Sequence, residues 1–179
     1  MASILIAYDT TEGHTRKIAQ YMGDSVSRSG HEAQVVDIRR PPTDFSLDSF
    51  DAVLVGASIH LGKHSRQLSG FVSRHKARLA TVPTAFFSVS LSAGVEKQKG
   101  EASRILEEFL QKVDWSPTIK TIFAGGLLYR EYGFLKRWMM KKIARDAGKD
   151  TDTSKNHEYT DWQAVDGFVK EFLAQLDQH

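Results

Sequence analysis

Cysteine is absent from this chain of 179 residues, and its absence removes several kinds of chemistry at once. Disulfides, thiolate metal sites, iron–sulfur clusters and cysteine nucleophiles all need a thiol, so the sequence excludes them. Long apolar runs are also missing, and the run near the N-terminus is too short for a secretory signal. We therefore expect a cytoplasmic protein whose redox chemistry, if it has any, comes from a bound cofactor.

Net charge is low, at +2, but the positive charge is concentrated in one part of the chain. Residues 120–149 contain eight lysines or arginines and two acidic residues, which leaves the rest of the chain slightly acidic. A local excess of this kind indicates a surface with its own role rather than general basicity.

Short β-type runs alternate with longer amphipathic runs along the chain. The pattern predicts strands over 3–8, 33–37, 52–56, 84–90 and 119–124, and helices over 15–29, 65–79, 101–112, 134–147 and 161–176. The strand sequences ILIAY, AVLVG and TAFFSV are continuously apolar, which is typical of parallel strands buried on both faces. The sequence therefore predicts one α/β domain over 1–179, with helices on both faces of a parallel sheet.

A threonine-rich loop follows the first predicted strand and reads Thr10-Thr11-Glu12-Gly13-His14-Thr15. Folds of this class bind ligands at the carboxyl ends of their strands. Free N–H groups at the start of a helix, together with threonine hydroxyls, form a neutral cradle for a phosphate monoester. The GxxxxGK[ST] pattern of a triphosphate-binding loop is missing. Helix capping is the alternative role for these threonines, and the loop alone leaves both interpretations open.

Two further strand ends run into loops of small residues, VGASIHLGKH after the third strand and FSVSLSAG after the fourth. Glycine, serine and alanine allow a flat ligand to approach the backbone. Three ligand-binding loops are therefore expected along one edge of the sheet.

With these loops the chain resembles the flavodoxin-like family, whose phosphate loop is approximately [ST]-x-T-G-x-T. The motifs GASI, FFSVSL, AGGLLYREYGFLKRWMMKKI, DTDT and YTDW are similar to those of the bacterial menaquinone-dependent protoporphyrinogen dehydrogenases of haem biosynthesis. The resemblance implies a doubly wound five-stranded sheet in the order 2-1-3-4-5, with a basic helical insertion at about 125–160 before the last helix. It also implies FMN as cofactor, protoporphyrinogen IX as substrate, and menaquinone or a similar quinone as electron acceptor.

The same resemblance implies which residues hold FMN. For the phosphate they are Thr10, Thr11, Glu12, Gly13, His14 and Thr15; for the flavin ring they are Ala57, Ser58, Ile59, His60, Ser88, Val89, Ser90 and Leu91. Phe86 and Asp152 are also assigned to the cofactor site. Two features depart from the flavodoxin pattern. Glu12 replaces a hydroxyl residue, so we expect it to turn away from the phosphate, toward Arg16. Neither ring loop offers the usual Trp or Tyr cover, which leaves room for a substrate.

Basic side chains follow the third strand. Positive charge on His60, Lys63 and His64 would stabilise reduced flavin, although solvated loop charges are an equally good interpretation. Under the resemblance, His60 or His64 is the candidate base, and the candidates for binding the propionates of the substrate are Lys63, Arg66 and Arg130. The other histidines lack metal-site spacing with supporting carboxylates, so no metal is expected.

The basic tract GFLKRWMMKKIARDAGK mixes cationic and aromatic residues, as membrane-surface helices do. We expect peripheral contact with the anionic inner face of the cell membrane, near a lipid quinone, through Phe134, Lys136, Arg137, Trp138, Lys141, Lys142 and Arg145. Core packing of the Leu135, Met139 and Ile143 stripe, or a protein partner, are the alternatives. Nucleic acid is not expected, because no nucleic-acid motif accompanies the charge.

Two other functions fit the same sequence. A flavodoxin-type carrier would pass electrons singly to a protein partner. A small quinone reductase would need NAD(P)H, for which the sequence has no recognisable fingerprint. The oligomeric state does not follow from the sequence.

Overall fold

The computed structural model describes residues 1–127, 140–142, 144–146, 148–149, 151–154 and 156–176. The strands are β1 (Ser3–Asp9), β2 (Glu32–Asp37), β3 (Ala52–Ser58), β4 (Thr84–Ser90), β5 (Ile119–Ala124), β6 (Gly126–Leu127) and β7 (His157–Glu158). The helices with continuous bounds are α1 (His14–Arg28), α2 (Arg66–Leu79), α3 (Lys99–Val113) and α4 (Trp162–Leu176). Two short 3-10 turns, Ser92–Gly94 and Glu96–Gln98, lead into α3.

The five long strands form a parallel sheet in the order β2-β1-β3-β4-β5. The predicted fold and strand order are therefore confirmed. Strand β3 extends two residues beyond its predicted end, because Ala57 and Ser58 still pair with Ser88 and Val89 of β4. The antiparallel pair β6–β7 was not predicted, since two-residue strands leave no periodic signal.

Each face of the sheet has its own core, because alternate strand residues point to opposite faces. On one face Leu5, Val53 and Phe86 are fully buried, in the same cluster as residues of α2 and α3. On the other face Ile6 and Phe87 are fully buried in a cluster with residues of α1 and α4. Burial on both faces accounts for the continuously apolar strand sequences.

Part of the basic tract is described. Residues 140–142 and 144–146 are helical, and Ala144 is fully buried against Leu91, Met140 and Tyr159. Lys142 and Arg145 are exposed on the same stretch. The predictions for Arg130, Phe134, Lys136, Arg137 and Trp138 lie outside the described residues, as do those for Leu135, Met139 and Ile143. Within the described ranges no helix has both the length and the apolar character needed to cross a bilayer.

Candidate functional site

The loop between β1 and α1 is closed by its own residues. Gly13, at the N-cap of α1, has φ 90, a left-handed conformation that favours glycine. The backbone N–H of Gly13 donates to Thr10 Oγ1 over 2.9 Å. Thr10 therefore closes the loop rather than capping α1, whose N-cap Gly13 has no side-chain cap, and the hydroxyl proton of Thr10 remains available to a ligand.

Thr15 has a buried polar atom that fits a phosphate ligand. Its side chain is 1% exposed, and among the described residues its Oγ1 has no hydrogen-bond partner. A buried polar group without a partner costs about 1–3 kcal/mol. Because the first N–H groups of α1 also lack intrahelical partners, a terminal phosphate would satisfy both. This donor set, with no lysine in the loop, fits the phosphate monoester of FMN.

The buried carboxylate of Asp9, at the end of β1, fixes the start of the loop. Asp9 is 1% exposed and accepts hydrogen bonds from Arg39 Nε and Ser65 Oγ. The bond to Asp9 raises the pKa of Arg39. Ser65 also caps α2 by accepting from the N–H of Leu68 at 3.1 Å. Asp9 thus joins the end of β1 to the chain after β2 and to α2. Sequence reasoning missed it, although an aspartate ending an apolar strand was a visible signal.

One cavity of about 220 Å³ extends from the threonine-rich loop after β1 to the two loops after β3 and β4, which are the predicted flavin-ring loops. Its lining comes from four segments at the carboxyl edge of the sheet, as the topology requires, and from Met140 of the basic tract. The lining residues are Thr10, Glu12, His14, Thr15, Ser58, Ile59, His60, Leu61, Gly62, Val89, Ser90, Leu91, Ser92, Gly125, Gly126 and Met140.

Most residues predicted to bind the cofactor line this cavity, and Glu12 is among them. Six of the lining residues were not assigned to the site from sequence: Leu61, Gly62, Ser92, Gly125, Gly126 and Met140. Leu61, Gly62 and Ser92 follow predicted residues directly in the ring loops. Met140 could not be assigned from local sequence, because the fold brings it there from the basic tract.

Several predicted residues lie elsewhere. Thr11 is exposed and Gly13 lines a neighbouring cleft, while Ala57 and Ser88 are buried within their strands. The prediction for Phe86 is wrong, because its fully buried ring packs in the core against Phe109 and Trp115. Asp152 is exposed, and its Oδ1 accepts hydrogen bonds from the N–H and Oγ of Ser154, which close a turn in its own segment.

The loop after β3 is a tight hairpin. His60 N donates to Lys63 O at 2.9 Å, and Lys63 N donates to His60 O at 3.2 Å. Between them Leu61 and Gly62 have φ 50 and φ 72, as a two-residue type I′ turn requires. His60 lines the cavity and is exposed, whereas Lys63 and Arg66 are exposed along an adjacent groove beside α3. His60 thus lines one cavity while Lys63 and Arg66 line another, although His60 and Lys63 are paired across the hairpin.

His64 does not carry the positive charge that was expected of it. Its Nδ1 donates to Ser58 O and its Nε2 accepts from Ser88 Oγ, each at 3.2 Å. The ring packs between Phe86 and Phe109, with centroid distances of 5.5 and 5.0 Å. Burial lowers the pKa of His64 to about 4. The ring is therefore neutral near pH 7 and ties β3 to β4 beneath the ring loops.

The YTDW segment packs against the start of α1. Thr160 Oγ1 lies 2.7 Å from His14 Nε2 and donates to Ala124 O at 2.7 Å. Glu158 forms an ion pair with Lys17 and accepts from Trp162 Nε1 at 2.7 Å. The segment that returns from the basic tract thus contacts the phosphate loop directly.

Comparison with known proteins agrees with this geometry. A flavodoxin domain model matches residues 5–154. Protoporphyrinogen IX dehydrogenase (quinone) of Escherichia coli strain K12 is 34% identical over 175 residues, which cover 97% of this chain and 96% of that protein. The chain belongs to the protoporphyrinogen IX dehydrogenase family of flavodoxin-domain proteins. The protein of the same name from Leishmania major is 35% identical over 172 residues, 95% of this chain and 74% of that protein.

Solved flavodoxin structures have the same fold as this member of the dehydrogenase family. Oxidised Flavodoxin 1 from Bacillus cereus superimposes with a TM-score of 0.57 at 18% identity, covering 97% of this chain and 98% of that chain. A flavodoxin from the domain Archaea gives a TM-score of 0.54 at 16% identity, covering 98% and 99%. At these identities the likeness shows the fold alone. The named relatives in the dehydrogenase family are oxidoreductases.

Proposed function

We propose that the protein binds FMN and oxidises protoporphyrinogen IX to protoporphyrin IX, with electrons passed to menaquinone or a similar quinone during haem biosynthesis. The observation that carries the proposal is the cavity with the buried, unpartnered Thr15 Oγ1 at one end and two ring loops at the other. The names of the family members support the substrate and the class of acceptor.

FMN, when bound, would supply the two-electron chemistry, and the chain would bind and orient it. Thr10, Thr15 and the N–H groups that open α1 would hold the phosphate. The loops at 58–60 and 89–91 would border the ring. Since these loops carry no Trp or Tyr, one ring face would stay open to a flat substrate.

The substrate must lose six electrons and six protons, so three quinone molecules are reduced for each porphyrin formed. His60 is the proposed proton acceptor, because it lines the cavity and is open to solvent. His64 is better described as a positioning residue, because both of its ring nitrogens are engaged. Lys63 of the hairpin and Arg66 at the start of α2 line the adjacent groove and are the proposed contacts for the propionates.

We also propose peripheral contact with the inner face of the cell membrane. Lys142 and Arg145 are exposed, and Met140 from the same stretch lines the cavity. A basic surface beside the cavity would bring the site close to a lipid quinone in an anionic leaflet.

The test is an anaerobic assay in which porphyrin formation is measured by its fluorescence. The apoprotein is mixed with protoporphyrinogen IX, in the presence and absence of FMN and menadione. We expect porphyrin above the uncatalysed background when protein, FMN and menadione are all present. A semiquinone that accumulates in a separate reductive titration of the FMN-loaded protein, together with no porphyrin in the assay, would favour a flavodoxin-type carrier. Menadione reduction by NAD(P)H without porphyrin would favour a quinone reductase.

A further inference from the structure

The histidine that opens α1 has one ring nitrogen whose state is fixed by its neighbours. His14 Nε2 lies 2.7 Å from Thr160 Oγ1, and Thr160 Oγ1 lies 2.7 Å from Ala124 O. A carbonyl only accepts, and a hydroxyl has one proton, so Thr160 donates to Ala124 and accepts from His14. In the neutral ring the proton is therefore on Nε2, and Nδ1 is a bare acceptor.

The second nitrogen of His14 has no such partner. The residue is 5% exposed, and no described group forms a hydrogen bond to its Nδ1. A β-carbon on Gly126 would lie 2.9 Å from Nδ1, so only glycine fits beside this side of the ring. His14 lines the same cavity as Thr10 and Thr15. An unpartnered buried nitrogen in a phosphate-binding loop calls for a ligand group.

Several charged or titratable groups surround His14. They are Glu12 in the loop, Arg16 and Lys17 on α1, and His157 and Glu158 on β7. Burial lowers the pKa of His14, Glu158 opposes that shift, and Lys17 adds to it. Lys17 is itself paired with Glu158. Among the described lining residues of the cavity there is no lysine or arginine, while Glu12 adds negative charge.

A phosphate dianion entering this cavity would meet a carboxylate and lack a permanent counter-charge. A nearby negative charge favours the protonated form of a histidine. We propose that His14 takes up one proton from solvent when the phosphate of FMN binds, so that its Nδ1–H becomes a donor and the ring becomes the counter-charge of the phosphate. The inference rests on the proposed binding of FMN and is independent of the proposed oxidation of protoporphyrinogen.

Proton uptake can be counted directly. The apoprotein is titrated with FMN by calorimetry at about pH 8, where free FMN is a dianion, in buffers of different ionisation enthalpy. We expect uptake approaching one proton, and none with riboflavin, which has no phosphate. FMN affinity should fall about tenfold per pH unit between the pKa of His14 in the apoprotein and its higher pKa in the complex, because one proton is taken up in that range.

Two variants assign the proton. His14→Asn should abolish the uptake and make FMN affinity independent of pH in this range, with circular dichroism as the check on folding. His157→Asn, the matched control on β7, should retain the uptake. Phosphorus NMR of bound FMN should report a dianion, because the proton is on the ring.

Three results would overturn the inference: no uptake by the parent protein, undiminished uptake by His14→Asn, or a bound phosphate monoanion. Failure of FMN to bind would overturn the proposed function as well. Proton uptake without porphyrin formation would leave this inference intact and contradict only the proposed oxidation.

Discussion

His14 and Thr160 are 146 positions apart in the sequence, yet their side chains share a hydrogen bond of 2.7 Å. His14 opens α1 beside the proposed phosphate site, and Thr160 precedes α4 on the segment that returns from the basic tract. The bond therefore connects the proposed phosphate loop to the segment that follows the basic tract. Changes on either side of it should affect FMN binding.

Thr15→Val tests the phosphate loop at one atom. Valine keeps the shape of threonine but removes the hydroxyl, which has no partner among the described residues. The apoprotein should therefore be as stable as the parent or more stable. FMN affinity should fall by about 10- to 100-fold, since a hydrogen bond to a charged group contributes about 1.5–3 kcal/mol.

Thr11→Val is the matched control, because Thr11 is exposed in the same loop and does not line the cavity. Its FMN affinity, measured by quenching of flavin fluorescence, should equal that of the parent. Equal affinity in Thr15→Val as well would mean that the phosphate binds elsewhere.

Gly126→Ala tests the close approach between β6 and α1. An alanine β-carbon would lie 2.9 Å from both His14 Nδ1 and His157 O, closer than unstrained contacts allow. We expect weaker FMN binding and a lower melting temperature. Gly70→Ala on α2, where nothing lies within 4 Å of the added carbon, should leave both unchanged or raise stability by up to about 1 kcal/mol. Equal behaviour of the two variants would argue against the packing described for His14.

The five-stranded sheet could be predicted from sequence because its signal is repeated. Each buried strand is a continuous apolar run, and each helix carries its own amphipathic period. The threonine-rich loop could be placed at the edge of the sheet because it follows a strand, and ligands bind at strand ends in this class of fold. The resemblance to a known family then supplied the strand order and the expectation of FMN.

The details of the site could not be predicted in the same way. Sequence reasoning treated His64 as a loop cation, because its burial depends on Phe86 and Phe109 from other elements. It assigned Phe86 to the cofactor, because a motif does not show which face of a strand a residue occupies. The contact of His14 with Thr160 joins distant segments, and no local pattern encodes it.

His64 should make stability depend on pH. Its pKa is about 4 in the folded protein against an ordinary 6.5, so between these values the unfolded chain takes up a proton that the folded chain does not. Stability should therefore fall as pH decreases from about 6.5 to about 4, by up to about 3 kcal/mol. Denaturant unfolding across this range measures the slope.

In His64→Asn the part of the pH dependence of stability that is due to His64 should disappear. The protein should also be less stable overall, because the ring packing is lost. His60→Asn, an exposed change on the same hairpin, should retain the slope. A parent protein whose stability is flat between pH 6.5 and 4 would contradict the neutral, buried His64.

The described part of the basic tract should bind anionic vesicles. The double variant Lys142→Gln, Arg145→Gln should weaken association with phosphatidylglycerol vesicles by about 30-fold, since each cation contributes about 1 kcal/mol. The control Arg104→Gln, Lys112→Gln removes the same charge from exposed positions on α3 and should bind as the parent does. If both variants sediment with vesicles like the parent, this surface does not contact membrane.

The stoichiometry of the reaction tests the proposed function most directly. FMN-loaded protein is mixed anaerobically with protoporphyrinogen IX and menadione, and porphyrin and reduced quinone are measured in the same sample. We predict porphyrin formation at a rate proportional to enzyme, with three molecules of menadione reduced for each porphyrin. No porphyrin above the enzyme-free control, in a sample whose FMN is shown to be bound and reducible, would contradict the proposed function.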